Sequence, residues 1–225
     1  MLMDGSFILL IPALILSVYA QFAIRSAYSK WSRVRSTVGM TGAQVARQLL
    51  QRNGITDVEV EPVAGSLTDH YDSRHKKLRL SQENYNGSSL ASIAVAAHET
   101  GHAIQHAASY APLGWRQAIF PVANIGSTWG IWLFIIGMFV SSFRVLMDIG
   151  ILLFAGAVLF QIVTLPVEFN ASRRALAQLS TGGYLKEQEI DGAKSVLNAA
   201  ALTYVAAAAM AVLQLFRLLL IRGRD

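Results

Sequence analysis

The sequence predicts an α-helical membrane protein with a small α+β portion in the cytosol. Charged residues are only 15% of the 225, against 53% hydrophobic ones. No Asp, Glu, Lys or Arg occurs in four stretches, 5–24, 117–143, 149–167 and 195–216, and most of the polar chemistry sits between the first and the second. A soluble domain averages about 25% charged residues, and a spanning helix needs about 20 mainly apolar ones. The chain therefore reads as one domain, 1–225, with three or four transmembrane helices. Its apolar content excludes disorder. Without cysteine there is no disulfide, thiol catalysis or Cys-ligated zinc, so any transition metal must be held by His, Asp or Glu. The net charge of +5 invites a nucleic-acid reading. Basic residues flanking membrane spans on the cytosolic side explain the same excess, and nucleic acid is not a predicted partner.

The first span, about 5–24, reads SFILLIPALILSVYAQFAI, with Asp4 before it and Arg25, Lys30, Arg33 and Arg35 after it. That asymmetry places the N-terminus outside and the next segment in the cytosol. Val18-Tyr19-Ala20 resembles a cleavage site, but a signal peptide carries its positive charge before the apolar run, so the segment reads as an anchor. The cytosolic portion spans about 25–116. Within it, TGAQVARQLLQRNGI is an amphipathic helix with Thr41 as N-cap and Asn53-Gly54 as its stop. DVEVEPV (57–63) alternates as a strand ended by Pro62, and SLTDHYDSRHKKLRLS forms two short strands around Asp72-Ser73-Arg74. Asn86-Gly87-Ser88-Ser89 caps a long helix, about 89–110, that stops before Pro112. Spans at about 117–143 and 149–167 are joined by so few residues that they form an antiparallel hairpin, with Arg116, Arg173 and Arg174 on the cytosolic side. A helix at about 168–194 follows. The last apolar helix, about 195–221, is rich in Ala, and Arg217, Arg222 and Arg224 near its end oppose the positive-inside tendency; it spans the bilayer or lies in its interface.

The long helix carries His98-Glu99-Thr100-Gly101-His102, an HExxH motif. On an α-helix the two histidines lie about 40° apart around the axis and roughly 6 Å along it. Both rings can reach one zinc ion, with Glu99 beside that face to serve as base toward the attacking water. Coincidence would produce such a motif in roughly three or four chains per thousand of this composition. The context argues against coincidence. These three are the only charged or histidine residues between Glu83 and His106, in a run that is otherwise largely apolar, and a carboxylate there requires a partner.

A catalytic zinc site takes a third protein ligand and keeps an open position. His106 continues the series, but lies about 12 Å along the axis from His98, and reads instead as a supporting or surface histidine. His70 and His75, in the strand-turn-strand region, could face the cleft, although an ordinary solvated histidine is the simpler reading. Glu168 is the stronger third ligand, the first ionisable residue after the charge-free run that ends at 167. Pro166 just before it suits the first turn of a new helical segment. The plainer role for such a Glu is to favour the dipole at a helix start.

HETGH on a helix, followed after a membrane hairpin by PVEFNASRRA, resembles the YugP-type family of membrane zinc metallopeptidases, and more distantly the HtpX-type and CAAX-prenyl-type membrane proteases of the gluzincin group. The likeness to the first runs along nearly the whole chain, through TGAQVARQLL, VEVEPVAGSLTDHYD, KKLRLS and VAAHETGHAIQHA. It implies that His98, His102 and Glu168 bind one zinc ion per chain and that Glu99 is the base. In the HtpX-type pattern an acid follows the ligand Glu by four positions. Here Ser172 stands there, and that acid's role does not transfer.

The function expected is zinc-dependent hydrolysis of peptide bonds in a peptide or membrane-protein substrate, by a multi-pass protein of the cell membrane with its active site on the cytosolic side. His70, Tyr71, His75, His106 and Tyr110 have the chemistry to stabilise the transition state or support the ligands, and the sequence does not choose among them. An extended substrate could add as a strand beside 66–80. Two other classes stay open: a membrane scaffold with a structural zinc, and a zinc hydrolase of a non-peptide bond. A transporter is disfavoured, because no apolar stretch holds an internal acid or base pair.

Overall fold

The computed structural model describes residues 5–140 and 143–223. Asp4, Arg224 and the last residues but one of the predicted second span, Ser141 and Ser142, lie outside them. Helices α1 (Ile11–Trp31, entered through a 3-10 turn at Gly5–Leu10), α5 (Ala111–Phe139), α6 (Val145–Thr181) and α7 (Glu187–Arg222) are each long and apolar enough to cross a bilayer. The rest of the secondary structure is α2 (Gly42–Arg52), β1 (Glu59–Val63), β2 (His70–Asp72), β3 (Lys77–Ser81), α3 (Gln82–Asn86) and α4 (Leu90–Ala107). This is an α-helical membrane protein with a small α+β portion. Its chain divides into two compact units, one of Met1–Gln21, Ala111–Pro166 and Leu202–Asp225, the other of Phe22–Tyr110 and Val167–Ala201.

In the first unit, α5 and α6 pack closely as an antiparallel hairpin. A Cβ on Gly126 would meet the Leu153 carbonyl oxygen, so only glycine permits this approach. Phe134, Met147, Phe154, Val158 and Leu218 form its core, while Leu14, Val18, Trp129, Trp132 and Leu152 point outward, as lipid-facing residues do. Arg222 holds Asp148 through two bonds of 2.8 and 3.0 Å, and Arg217 donates to Ser6 Oγ and stacks over Phe7. The end of α7 therefore lies beside the starts of α1 and α6, and these arginines are paired there.

The second unit is built around α4. A capping box between Thr41 and Gln44 starts α2, and Asn53 ends it, as its sequence predicts. The sheet has the order β1-β3-β2, with β1 parallel and β2 antiparallel to β3. Pro62 does not end β1 but lies within it, opposite Leu80; at a sheet edge its missing N–H costs no ladder bond. Because β3 is central, the free edge of the 66–80 segment is that of β2. Val60, Leu78 and Leu80 turn inward against α2 and against Ala96, Ala103 and Ile104 of α4. Leu90, Ile93, Ala94 and Ala97 pack with Ala175 and Leu179 of α6 and with Val196 and Leu197 of α7 in a second cluster. With cores on both sides, α4 is apolar around most of its circumference.

Two boundaries differ from expectation. The motif helix ends at Ala107, and α5 begins at Ala111 with Pro112 inside its first turn. Residues 168–194 are not a separate helix: α6 runs unbroken through Pro166 to Thr181, and α7 begins at Glu187. Proline removes one backbone donor, but a helix in apolar surroundings has no water to compete for the remaining ones, so breaking it there is costlier than in solution.

Candidate metal centre

Ser89 caps α4, its hydroxyl accepting from the Ser92 backbone N–H. Two turns on, the helix presents His98 and His102, with ring centroids 4.8 Å apart and planes nearly perpendicular. Glu168 comes to them from α6. Its Oε2 lies 3.2 Å from His98 Nε2 and 3.6 Å from His102 Nε2, and one ligand atom from each of the three residues falls within 4.8 Å of the others. Zinc bonds of about 2.0–2.1 Å in tetrahedral geometry separate donors by about 3.3 Å. The set of two imidazoles and a carboxylate at these spacings fits zinc.

The approach depends on Gly101. A Cβ at that position would lie 2.6 Å from the Ala171 carbonyl oxygen, so α4 and α6 meet backbone to backbone between the ligands. Glu168 is only 2% exposed. Burial pushes the His102 ring down, but the hydrogen bond and charge of Glu168, with Glu99 and Gln105 adding to them, outweigh it, and the net shift is upward. Glu99 is 9% exposed, and its carboxylate forms no hydrogen bond or ion pair among the described residues.

Polar partners surround the ligands. Ser172 Oγ is 3.1 Å from His98 Nδ1, so a hydroxyl stands at the position where the HtpX-type pattern has an acid. His102 Nδ1 is 3.0 Å from Gln105 Oε1. The Gln105 amide nitrogen donates to the Val167 carbonyl and to Asn170 Oδ1, which also accepts from Arg174 Nε. Gln105, Asn170 and Gly101 were not among the residues expected from sequence. Gln105 lies one helical turn after His102 and Asn170 two residues after Glu168, a signal readable only once α4 and α6 are known to touch.

The remaining candidates have other partners. His106 pairs through Nδ1 with the Tyr71 hydroxyl at 2.9 Å and is not one of the three clustered ligand residues. Burial, then the charges of Asp57 and Asp72, push the Tyr71 phenol up, which keeps it a donor. His70 is exposed with Nδ1 on the Thr68 carbonyl, and exposed His75 pairs with Asp72. The Tyr110 backbone N–H closes on the Gln105 carbonyl.

Residues 6–223 match the protein family described as "Putative neutral zinc metallopeptidase". The chain belongs to this family. It is 49% identical over 219 residues, 96% of its own length and 97% of the relative's, to the protein named "Putative membrane protease YugP" of Bacillus subtilis (strain 168). No solved structure matches it. A zinc metallopeptidase family, four apolar helices and a His/His/Glu cluster agree with one another.

Proposed function

We propose that the chain is a membrane-embedded, zinc-dependent endopeptidase of gluzincin type, with His98, His102 and Glu168 as ligands and Glu99 as general base. The observation that carries this is the pairing of three donors at zinc spacing with a second, nearly buried carboxylate, Glu99, that forms no hydrogen bond or ion pair among the described residues. When bound there, zinc supplies a Lewis acid that polarises the scissile carbonyl and makes water acidic near pH 7. Glu99 accepts a proton from the attacking water as its oxygen bonds to the carbonyl carbon. It returns that proton to the amide nitrogen as the carbon–nitrogen bond breaks, giving a carboxylate and a free amine. Tyr71, whose hydroxyl meets His106 one turn beyond His102 on α4, is the neutral donor assigned here to the developing oxyanion.

The site is placed in the cytosol, on a multi-pass protein of the cell membrane. Arg25, Lys30, Arg33, Arg35, Arg116, Arg173 and Arg174 flank the spans on that side. Because Glu168 immediately follows the apolar run 149–167, peptides at or near the bilayer surface are the substrates proposed, and the relative's name, a membrane protease, agrees. The deciding experiment measures zinc per chain and cleavage of a peptide library by the detergent-purified protein and by Glu99→Gln. The expected result is zinc retained and hydrolysis reduced about 10²–10⁴-fold. Full hydrolysis by zinc-loaded Glu99→Gln would overturn the assignment.

A further inference from the structure

We propose that Gln105 is a positioning residue for the metal: clamped by α6, it holds His102 in the tautomer that presents Nε2 to the ion. This rests on the zinc reading above. The argument follows the directions of four hydrogen bonds. The Val167 carbonyl can only accept, so the Gln105 group 2.8 Å from it is the amide NH2. The Arg174 guanidinium can only donate, so the Asn170 atom 2.7 Å from Arg174 Nε is its amide oxygen. That same oxygen receives the Gln105 NH2 at 3.0 Å, and both amides are thereby fixed in one orientation. The Gln105 oxygen must then face His102, and an oxygen opposite Nδ1 at 3.0 Å requires the ring proton to be on Nδ1. Nε2, 3.6 Å from Glu168 Oε2, is then the ring nitrogen that can offer its lone pair to the ion.

Val167, Asn170 and Arg174 fall at i, i+3 and i+7 on α6, along one face. Helix α6 therefore supplies both the carboxylate ligand and the clamp that orients an imidazole on α4. Gln105 is wholly buried, so water does not replace it. His98 is held differently. The Ser172 hydroxyl can donate or accept and leaves that ring's tautomer undetermined.

The test is zinc affinity of the full-length, detergent-purified chain by chelator competition, with helicity followed by circular dichroism. Gln105→Met is expected to bind zinc about 10- to 100-fold more weakly at unchanged helicity, the usual effect of losing an orienting partner. Gly114→Ala, on α5 with nothing within 4 Å of the added Cβ, is the control and is expected to keep wild-type affinity. Wild-type affinity in a folded Gln105→Met would overturn the proposal. Should Gln105→Met not fold, the nitrogen-15 shifts of His102 in the zinc-loaded wild type decide: a proton on Nδ1 with Nε2 on the metal supports the clamp, and the reverse overturns it. A wild-type chain that binds no zinc would instead sink the reading of the site itself.

Discussion

Gly101→Ala is a sharp test of how the site is built. The added Cβ would sit 2.6 Å from the Ala171 carbonyl oxygen and 3.2 Å from its Cα. Both are backbone atoms and cannot swing aside. To reach a tolerable 3.0 to 3.4 Å, the two helices must part by about 0.4 to 0.8 Å. Gly101 is flanked by His98 and His102, and Ala171 lies one turn beyond Glu168, so the separation falls on the ligand distances. A zinc site tolerates about 0.2 Å. Overpacking of this kind costs about 1–3 kcal/mol, and if that strain opposes metal binding, affinity falls about 5- to 140-fold. Alanine favours the helix by about 1 kcal/mol over glycine, which offsets part of the strain. The expected signature is thus a large loss of zinc affinity with a small change in melting temperature. Gly114→Ala, on α5 with nothing within 4 Å of the added Cβ, is the control and should leave zinc binding intact. Chelator competition on the three proteins gives the answer. Wild-type affinity in Gly101→Ala would refute the claim that backbone contact between α4 and α6 sets the ligand spacing.

Glu168→Ala removes one of three donors; at roughly 3 kcal/mol per ligand, its zinc affinity should fall more than about 100-fold, measured in the same titration. Chelator treatment should abolish hydrolysis yet leave the helical circular dichroism in place, because the two apolar clusters packed on α4 contain no metal ligand; unfolding on chelation would favour a structural zinc. Thr41→Ala breaks the capping box of α2 and should cost about 1 kcal/mol in denaturant unfolding. The sheet should loosen in acid. Hydrogen bonds from Lys77 and Arg79 hold Glu61 below its ordinary 4.5, and His75 holds Asp72 below its ordinary 3.8. Both carboxylates are more acidic folded than unfolded, so their stabilisation is complete above those values and is lost progressively as the pH falls below them toward the folded ones. Melting curves from pH 6 to pH 3 should show the drop, and Glu61→Gln should flatten it.

What was legible in the sequence was local. HETGH is read within one helix, where spacing alone puts both imidazoles on one face. Thr41 with Gln44, and Ser89 with Ser92, mark helix starts by chemistry that extends three residues. Glu168 was also readable, because a lone acid after nineteen uncharged residues stands out. Its helix was not. Pro166 signals a break by rules that hold where water can take up the freed backbone groups, and an apolar helix has no such alternative. Pro62 misleads for a related reason, since its effect depends on which sheet edge it occupies. Gln105 and Asn170 are unremarkable amides until α4 and α6 touch, at a separation of 65 residues, and only then does the order of donors and acceptors give them a role.

The charges offer an independent argument for the same centre. Two carboxylates, Glu99 and Glu168, lie at 9% and 2% exposure, and the imidazoles of His98 and His102 stand 3.2 and 3.6 Å from Glu168 Oε2. Burying an ion without compensation costs several kcal/mol, so two carboxylates in such a place call for positive charge beside them. A divalent cation held by two neutral imidazoles and Glu168 would leave one positive charge over. Glu99, unbonded and adjacent, would cancel it. That balance would explain why a carboxylate is kept in an apolar helix without a hydrogen bond. A structural zinc site usually fills its fourth position with a protein ligand, and a carboxylate left free of such duty has no purpose there.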